Sequence, residues 1–382
     1  MNVYYFGADR GWEELLGIGF RRRNTCILKA LVESKQVDKV YVIRKTTRKD
    51  FLKQLSKIKT GEGKVQDVVF ASLLPEKWFG RLGRRLNAFL LHRLCEKARS
   101  TDLLWAYWPN GYFVVESSGL RGSIVFDADH NIIDDPSLSS ADRPQRHQDL
   151  LRIGAGSRYL LSSTRSMLDW FRDRGFDKGV LLRNGVDATR FHASSPHEAN
   201  PGRKEAGAGQ DAFTIGYCGT LSRWIDYDLF AALARRNPQW KFLIIGKPYL
   251  TEDWKVLEGV SNVQLLGEKK ADEVAKLLPT FDAALNLYRK HPALDVDSMK
   301  LYEYIAAGVP VVSTRYHDFL GQDFEEILLL GDDLDTIERL LQGLEKGEGR
   351  QQGERTTAFL RRSSWNKRVD EFLSSLNPIH EG

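Results

Sequence analysis

The amino-acid sequence predicts an α/β protein made of two doubly wound domains, each a parallel sheet covered by helices. Three observations predict it. Apolar segments of strand length alternate with helical patterns from Asn2 to Ser163. The stretch Ser194 to Ala212, rich in Pro, Gly, Ala and charge, lacks apolar periodicity and reads as a linker. The same alternation then restarts at Phe213. With 382 residues, the chain is long enough for two ordinary cores.

Taken in order, Asn2 to Phe6 is the first strand, and a glycine-rich loop follows from Gly7 to Gly19. Arg21 to Arg23 lead a helix through Ile27, Leu28, Leu31 and Val32. Further strands are expected at Val37–Ile43, Asp67–Ser72, Asp102–Tyr107, Ser123–Asp127 and Tyr159–Ser163. In the second half, strands are expected at Phe213–Tyr217, Trp240–Gly246, Val263–Leu266, Ala283–Leu287 and Val309–Ser313. A helix is expected over Tyr227–Asn237 and a last one near Ala358–Leu376. Domain bounds follow: 1–193, a linker at 194–212, and 213–355. The segment 356–382 is expected to complete the first domain.

The three cysteines, Cys26, Cys95 and Cys218, form no C-x-x-C pair, which argues for a reducing compartment and against a structural zinc site. No run reaches the roughly 18 apolar residues of a spanning helix, and the chain opens directly into a strand, so a cytoplasmic location is expected. Charge is uneven. Residues 1–100 carry 22 Lys and Arg against 10 Asp and Glu, while the whole chain sums to +5. A half this basic favours an anionic partner or is only a solvated face. No nucleic-acid-binding motif is visible, and neither half shows G-x-G-x-x-G after its first strand, which disfavours a dinucleotide cofactor.

The segment Asp297-Ser-Met-Lys-Leu-Tyr-Glu-Tyr-Ile-Ala-Ala-Gly-Val-Pro-Val-Val-Ser-Thr314 is the most informative. It reads as a loop, a two-turn helix opening at Ser298, a left-handed stop at Gly308 and a buried strand. A helix N-terminus with unpaired N–H groups suits a phosphate. Lys300 and Glu303 share one helix face, the lysine suited to a diphosphate and the carboxylate to ribose hydroxyls.

This string resembles the donor-binding motif of GT-B glycosyltransferases, in particular the family 4 (group 1) type of bacterial polysaccharide biosynthesis. Gly216-Tyr-Cys-Gly-Thr-Leu-Ser222 and Trp240 to Gly246 resemble the opening of that family's donor domain, and Leu182-Arg-Asn-Gly-Val-Asp187 resembles the turn that ends its first domain. The resemblance implies a GT-B fold, two Rossmann-like domains facing a cleft, with the C-terminal helix crossing back to the first. It implies transfer of a sugar from a nucleotide sugar, a UDP- or GDP-sugar, to a glycan or polyprenyl-linked acceptor, with no metal and no other cofactor. The implied donor contacts are Gly219, Thr220, Arg223, Arg289, Ser298, Lys300, Leu301 and Glu303. Gly17, Gly19 and Arg21 match the position of the family's acceptor loop, or belong to an ordinary β1–α1 loop. Many relatives carry two glutamates seven residues apart; here Asp295 stands eight before Glu303, which leaves room for a non-catalytic partner subunit that only binds nucleotide sugar.

Asp127-Ala-Asp129-His130 exits a strand in the basic half. Asp-x-Asp also occurs as a metal motif in the other large glycosyltransferase fold. The two-domain layout favours acceptor binding by Asp127 and a catalytic role for Asp129 or His130, either able to take a hydroxyl proton near neutral pH. Leu73 to Arg99 places Phe79, Leu82, Leu86, Phe89, Leu90 and Leu94 at helical spacing among Arg81, Arg84, Arg85 and Arg93. It reads either as a helix lying on an anionic membrane surface, which would make the protein peripheral, or as one packed on the sheet.

Overall fold

The computed structural model describes residues 1–46, 63–71, 89, 98–118, 120–130, 132–133, 141–192, 212–291, 294–317, 320, 324, 327–348 and 353–376. The linker 194–212, apart from Ala212, and nearly all of the helix expected over 73–99 lie outside them. The chain divides into two compact units. Unit 1 is Met1–Asn184, Asp295–Asp297 and Trp365–Gly382; unit 2 is Gly185–Leu294 and Ser298–Ser364.

In unit 1, β1 (Asn2–Phe6), β2 (Lys39–Thr46), β3 (Val65–Ala71), β4 (Leu103–Tyr107), β5 (Ser123–Asp127), β6 (Tyr159–Ser162) and β7 (Gly179–Leu181) form one sheet. Its order is β3-β2-β1-β4-β5-β6-β7, and every neighbouring pair is parallel. The central strands read as unbroken apolar runs because both faces are covered: Val3, Tyr4, Tyr5, Trp105 and Ala106 are fully buried. Helices α1 (Trp12–Ile18), α2 (Arg23–Glu33), α3 (Trp108–Ser118), α4 (Arg143–Gly156) and α5 (Arg165–Arg172) connect them.

Unit 2 holds β8 (Thr214–Cys218), β10 (Lys241–Ile245), β12 (Val263–Gly267), β13 (Ala283–Asn286), β14 (Val311–Ser313) and β15 (Leu329–Leu330), in the order β12-β10-β8-β13-β14-β15, again all parallel. A small ladder, β9 (Leu221–Ser222) with β11 (Pro248–Tyr249), stands beside it. Its helices are α6 (Thr189–His192), α7 (Tyr227–Arg236), α8 (Ala271–Leu277), α9 (Met299–Ala306), α10 (Leu334–Glu345) and α11 (Glu354–Arg362). Then α12 (Trp365–Ser375) belongs to unit 1 and packs on α2. Phe372 of α12 meets Trp105 edge-on at 5.5 Å, and the Ser34 hydroxyl donates to Asp370.

Three expectations are corrected. The loop from Gly7 to Gly19 contains α1, seven residues long and stopped by Gly19 at a φ of 80°. The single helix expected over Ala358–Leu376 is two, because the chain extends at Ser364 to bridge Val186. Strands β7 and β15 went unexpected; both are short and only partly buried, so they carry little apolar signal.

Strand order reverses between β1 and β4 in unit 1 and between β8 and β13 in unit 2. Connections leave opposite ways there, and the carboxyl ends of the strands open a crevice. Each crevice holds one of the chemical clusters.

Candidate functional site

At the unit 2 crevice, β8 ends at Cys218 and Gly219 follows in the turn. A β-carbon on Gly219 would lie 2.7 Å from the Lys300 Cε, and one on Gly246 would lie 1.8 Å from the Gly219 carbonyl oxygen. Gly219 has a φ of 156° and Gly246 a φ of 150°, so both positions need glycine for space and for conformation. The sequence thus brings the turn after β8 against the α9 lysine by leaving out side chains.

Lys300 itself is held on three sides. Its ammonium donates to the Tyr288 hydroxyl at 2.5 Å and to the Ser298 hydroxyl at 3.3 Å. It also lies 4.5 Å from the Tyr288 ring centroid and 5.3 Å from that of Tyr217, within the range of cation–π attraction. Tyr288 is fixed in turn by Thr314: its N–H donates to Thr314 Oγ1 at 3.0 Å, and that hydroxyl donates back to the Tyr288 carbonyl at 2.6 Å. Tyr304, one turn along α9, accepts from the Cys218 N–H at 2.7 Å. Burial pushes the Tyr217 and Tyr304 hydroxyls well above their ordinary pKa, so both stay neutral.

Ser298 is the residue that starts α9, but its side chain makes no capping bond to the helix; its hydroxyl faces Lys300 instead. The first N–H groups of α9 therefore lack that cap. Gly308 closes the helix at a φ of 74°, the left-handed stop expected from the sequence. Leu301 is fully buried, so its side chain belongs to the core and not to a ligand surface. Glu303 is half-buried and Thr220 exposed. Arg223 stacks over Trp224 at 5.0 Å, and Arg289 faces Asp228 at 3.4 Å and Asp253 at 4.0 Å. Such exposed pairs are weak, and a diphosphate can compete for either arginine.

The unit 1 crevice gathers Arg23, Tyr107, Asp127, Asp129 and His130. Arg23 opens α2 and is buried, donating through Nε and Nη2 to Asp127 Oδ1 at 3.2 Å each. Its Nε also lies 3.6 Å from Asp129 Oδ1. The Tyr107 hydroxyl donates to Asp129 Oδ2 at 2.7 Å, and His130 Nδ1 lies 3.5 Å from the same oxygen. Asp129 adopts a φ of 62°, and its carbonyl is captured by the N–H and hydroxyl of Ser163, each at 2.6 Å. Trp108 beside it has a φ of 67°, a strained value for a bulky residue.

One guanidinium faces two carboxylates, and their environments push them apart. Burial raises the Asp127 pKa and outweighs Arg23, which favours the neutral form. Burial also acts against charge on Asp129. The hydrogen bond and charge of His130, with Arg23 and Tyr107, overcome it and hold this carboxyl below the ordinary range. Asp129 keeps 19% side-chain exposure, whereas Asp127 has none. The acceptor contact expected of Asp127 is therefore corrected: its side chain has no exposed surface, and it instead accepts from Arg23 and from the Asp129 N–H at 3.0 Å.

Of the loop residues, Gly19 stops α1, while a β-carbon on Gly17 would meet nothing within 4 Å, so no close approach requires glycine there. Arg21 is exposed. Asp295 is buried in unit 1, where the Ser166 hydroxyl donates to it. Tyr107, Tyr217 and Tyr288 escaped sequence reasoning because an aromatic at a strand end looks like core; their positions at the two reversal points were the available signal. Among the described residues, no group of three or more His, Cys, Asp or Glu is placed to hold a metal ion.

A family model described as glycosyl transferase-like matches residues 226–374. The putative teichuronic acid biosynthesis glycosyltransferase TuaH of Bacillus subtilis (strain 168) is 28% identical over 144 residues, 37% of this chain and 35% of that protein. The matched region thus spans about a third of that relative's length. Solved structures similar over nearly the whole chain include Anabaena Alr3699/HepE in complex with UDP and glucose, with a TM-score of 0.64 and 16% identity, covering 98% of this chain and 99% of that one. The lipopolysaccharide outer core galactosyltransferase WaaB, apo form, gives a TM-score of 0.60 at 13% identity, with 97% and 98% covered. The chain therefore has the GT-B fold, and its residues 226–374 carry the glycosyl transferase-like family pattern.

Proposed function

We propose that this chain is a glycosyltransferase that moves one sugar from a nucleotide sugar, a UDP- or GDP-sugar, to a glycan or polyprenyl-linked acceptor in cell-envelope polysaccharide or glycoconjugate synthesis. The observation that carries this reading is the packing of Lys300 against Gly219 at the reversal point of unit 2. A bare backbone turn, an ammonium and a helix N-terminus converge there, the combination a diphosphate requires. The Anabaena structure in complex with UDP-glucose and the teichuronic acid relative support the same class of donor and product.

In this reading Lys300 and the Ser298 end of α9 stabilise the charge that grows on the departing diphosphate. Arg223 and Arg289 supply further positive charge, and Glu303 accepts from ribose hydroxyls. Asp129, the ionised and partly exposed carboxylate, takes the acceptor hydroxyl's proton, with His130 beside it. The fixed charges stand in for a metal.

Release of nucleoside diphosphate from a panel of UDP- and GDP-sugars, in the presence of a strong chelator and envelope glycan extract, tests the reading. Turnover of one donor is the expected result. Full loss on chelation, restored by manganese, would overturn the metal-free part and make Asp127 and Asp129 ligands.

A second reading, a partner subunit that binds nucleotide sugar without transfer, is favoured by one observation: Asp295, near the place of the family's first glutamate, is occupied by Ser166. Thermal stabilisation by a donor, with no transfer to any acceptor extract, would select it. A ligand at 100-fold its dissociation constant stabilises by about 2.7 kcal/mol, which a thermal shift detects readily.

The acceptor side is proposed to work at an anionic membrane surface. The exposed apolar side chains Leu16 and Ile18 on α1, near exposed Arg10, Arg21 and Arg22, support this. Among the described residues, no helix is long and apolar enough to cross a membrane.

A further inference from the structure

The two places where the chain leaves unit 1 toward α6 and toward α9 are bonded to each other. Asn184 is the last residue before Gly185, and Asp297 the last before Ser298. The Asn184 N–H donates to Asp297 Oδ2 at 2.6 Å, and its side-chain amide donates to the Asp297 carbonyl at 2.5 Å. The remaining polar atom of that side chain, Asn184 Oδ1, accepts from Arg23 Nη1 at 3.1 Å. All three residues are buried. Arg23 therefore spends one edge of its guanidinium on Asp127 and another on the Asn184–Asp297 staple, with Asp129 beside it.

We propose that Arg23 is a positioning residue for the transfer reaction, fixing Asp129 for the acceptor while being fixed itself by the Asn184–Asp297 staple that precedes the lysine helix. This rests on the role given to Asp129 above. A lysine in its place keeps the charge but has no planar fork, so it cannot serve Asp127 and Asn184 at once. Among the described residues, the groups that face Asp129 are Arg23 from α2, Tyr107 from the end of β4, Tyr5 from β1, Asp127 from β5, and His130. Arg23 is the one permanent cation among them, so its removal must raise the Asp129 pKa.

The test uses the full chain with Arg23→Lys, Arg23→Gln and Asp297→Ala. Donor affinity, measured by calorimetry with the UDP- or GDP-sugar that turns over, is expected to stay within about twofold in Arg23→Lys, while kcat falls roughly 10²-fold, the loss typical of misplaced groups. Asp297→Ala, which removes the carboxylate that accepts from the Asn184 N–H, should lower kcat about tenfold with the same donor affinity. In Arg23→Gln the Asp129 carboxyl, followed by carbon-13 NMR, should titrate at higher pH than in the wild type, and the acid limb of kcat should move with it. Normal kcat in a folded Arg23→Lys variant, or an Asp129 titration unmoved in Arg23→Gln, would overturn the proposal. The NMR measurement needs no substrate. If Asp129 shifts as expected but the wild type turns over no donor, the positioning stands and the assignment of function fails. Should Arg23→Gln not fold, the same titration in Asp297→Ala decides: a carboxyl that keeps its wild-type pKa there, together with unchanged kcat, overturns the proposal.

Discussion

Gly219 and Lys300, 81 positions apart in sequence, are packed so closely that a single methyl group on the glycine would stand 2.7 Å from the lysine side chain. The contact joins the end of β8 to the first turn of α9 across the reversal point of the unit 2 sheet. It explains two features together: why the turn lacks a side chain, and why the ammonium sits against Tyr288.

Gly219→Ala should therefore act as a lysine mutation. The new methyl displaces Lys300 and strains a positive φ, a cost of about 1–3 kcal/mol. Lys300→Ala should lower kcat roughly 10²–10³-fold if the ammonium stabilises the leaving diphosphate more than the bound donor. Both variants should fold, since neither removes core. Steady-state kinetics on the two, with circular dichroism as the folding control, checks this; near-normal turnover in a folded Lys300→Ala would remove the lysine from the site.

Glu303→Ala should change binding rather than chemistry. Ribose contacts do not alter during transfer, so the donor dissociation constant should rise while kcat at saturation stays close to the wild-type value. Unchanged donor affinity by calorimetry would reject the ribose assignment.

Asp129 also predicts a pH dependence of stability. Its folded pKa lies below the ordinary carboxylate value, so its charge contributes stability that is present above the unfolded pKa and lost as pH falls through the folded one. Asp129→Asn should lower the melting temperature more at pH 7 than near pH 3, below the ordinary carboxylate pKa, where the unfolded chain already binds the proton. Equal losses at both pH values would mean that the carboxylate is not stabilised by its neighbours. Asp127 has the opposite sign, because burial raises its pKa and its contribution is lost as pH rises.

Vesicle sedimentation addresses the membrane surface. The protein should pellet with anionic vesicles at low salt and be released as salt rises, since exposed charges are screened beyond about 8 Å at physiological ionic strength. Replacing Leu16 and Ile18 by Asp, or Arg81, Arg84 and Arg85 by Glu, should abolish pelleting, each basic residue being worth about 1 kcal/mol at such a surface. Nucleotide-sugar binding should persist in both variants. A wild type that never binds vesicles at low salt would mean a soluble acceptor.

The two doubly wound halves were legible in the residues alone, because buried parallel strands such as Val3 to Phe6 and Phe242 to Ile245 leave continuous apolar runs between helical periods. The α9 segment was legible in the same way, since Ser298, Lys300 and Gly308 are local signals carried by neighbouring residues. Which groups meet is set by the folded chain. Arg23 and Asp127 are 104 positions apart, and Asn184 and Asp297 are 113 apart, so no local pattern links them. Three arginines in a row lead one helix in the sequence and look alike there, yet the third is buried and bonded to Asp127 at the end of β5 while Arg21 and Arg22 remain exposed. Two aspartates that look alike in Asp-Ala-Asp become unlike only when the sheet buries one and leaves the other within reach of water, Tyr107 and His130. Burial and partner geometry set those differences, and both are properties of the folded sheet rather than of any short stretch of chain.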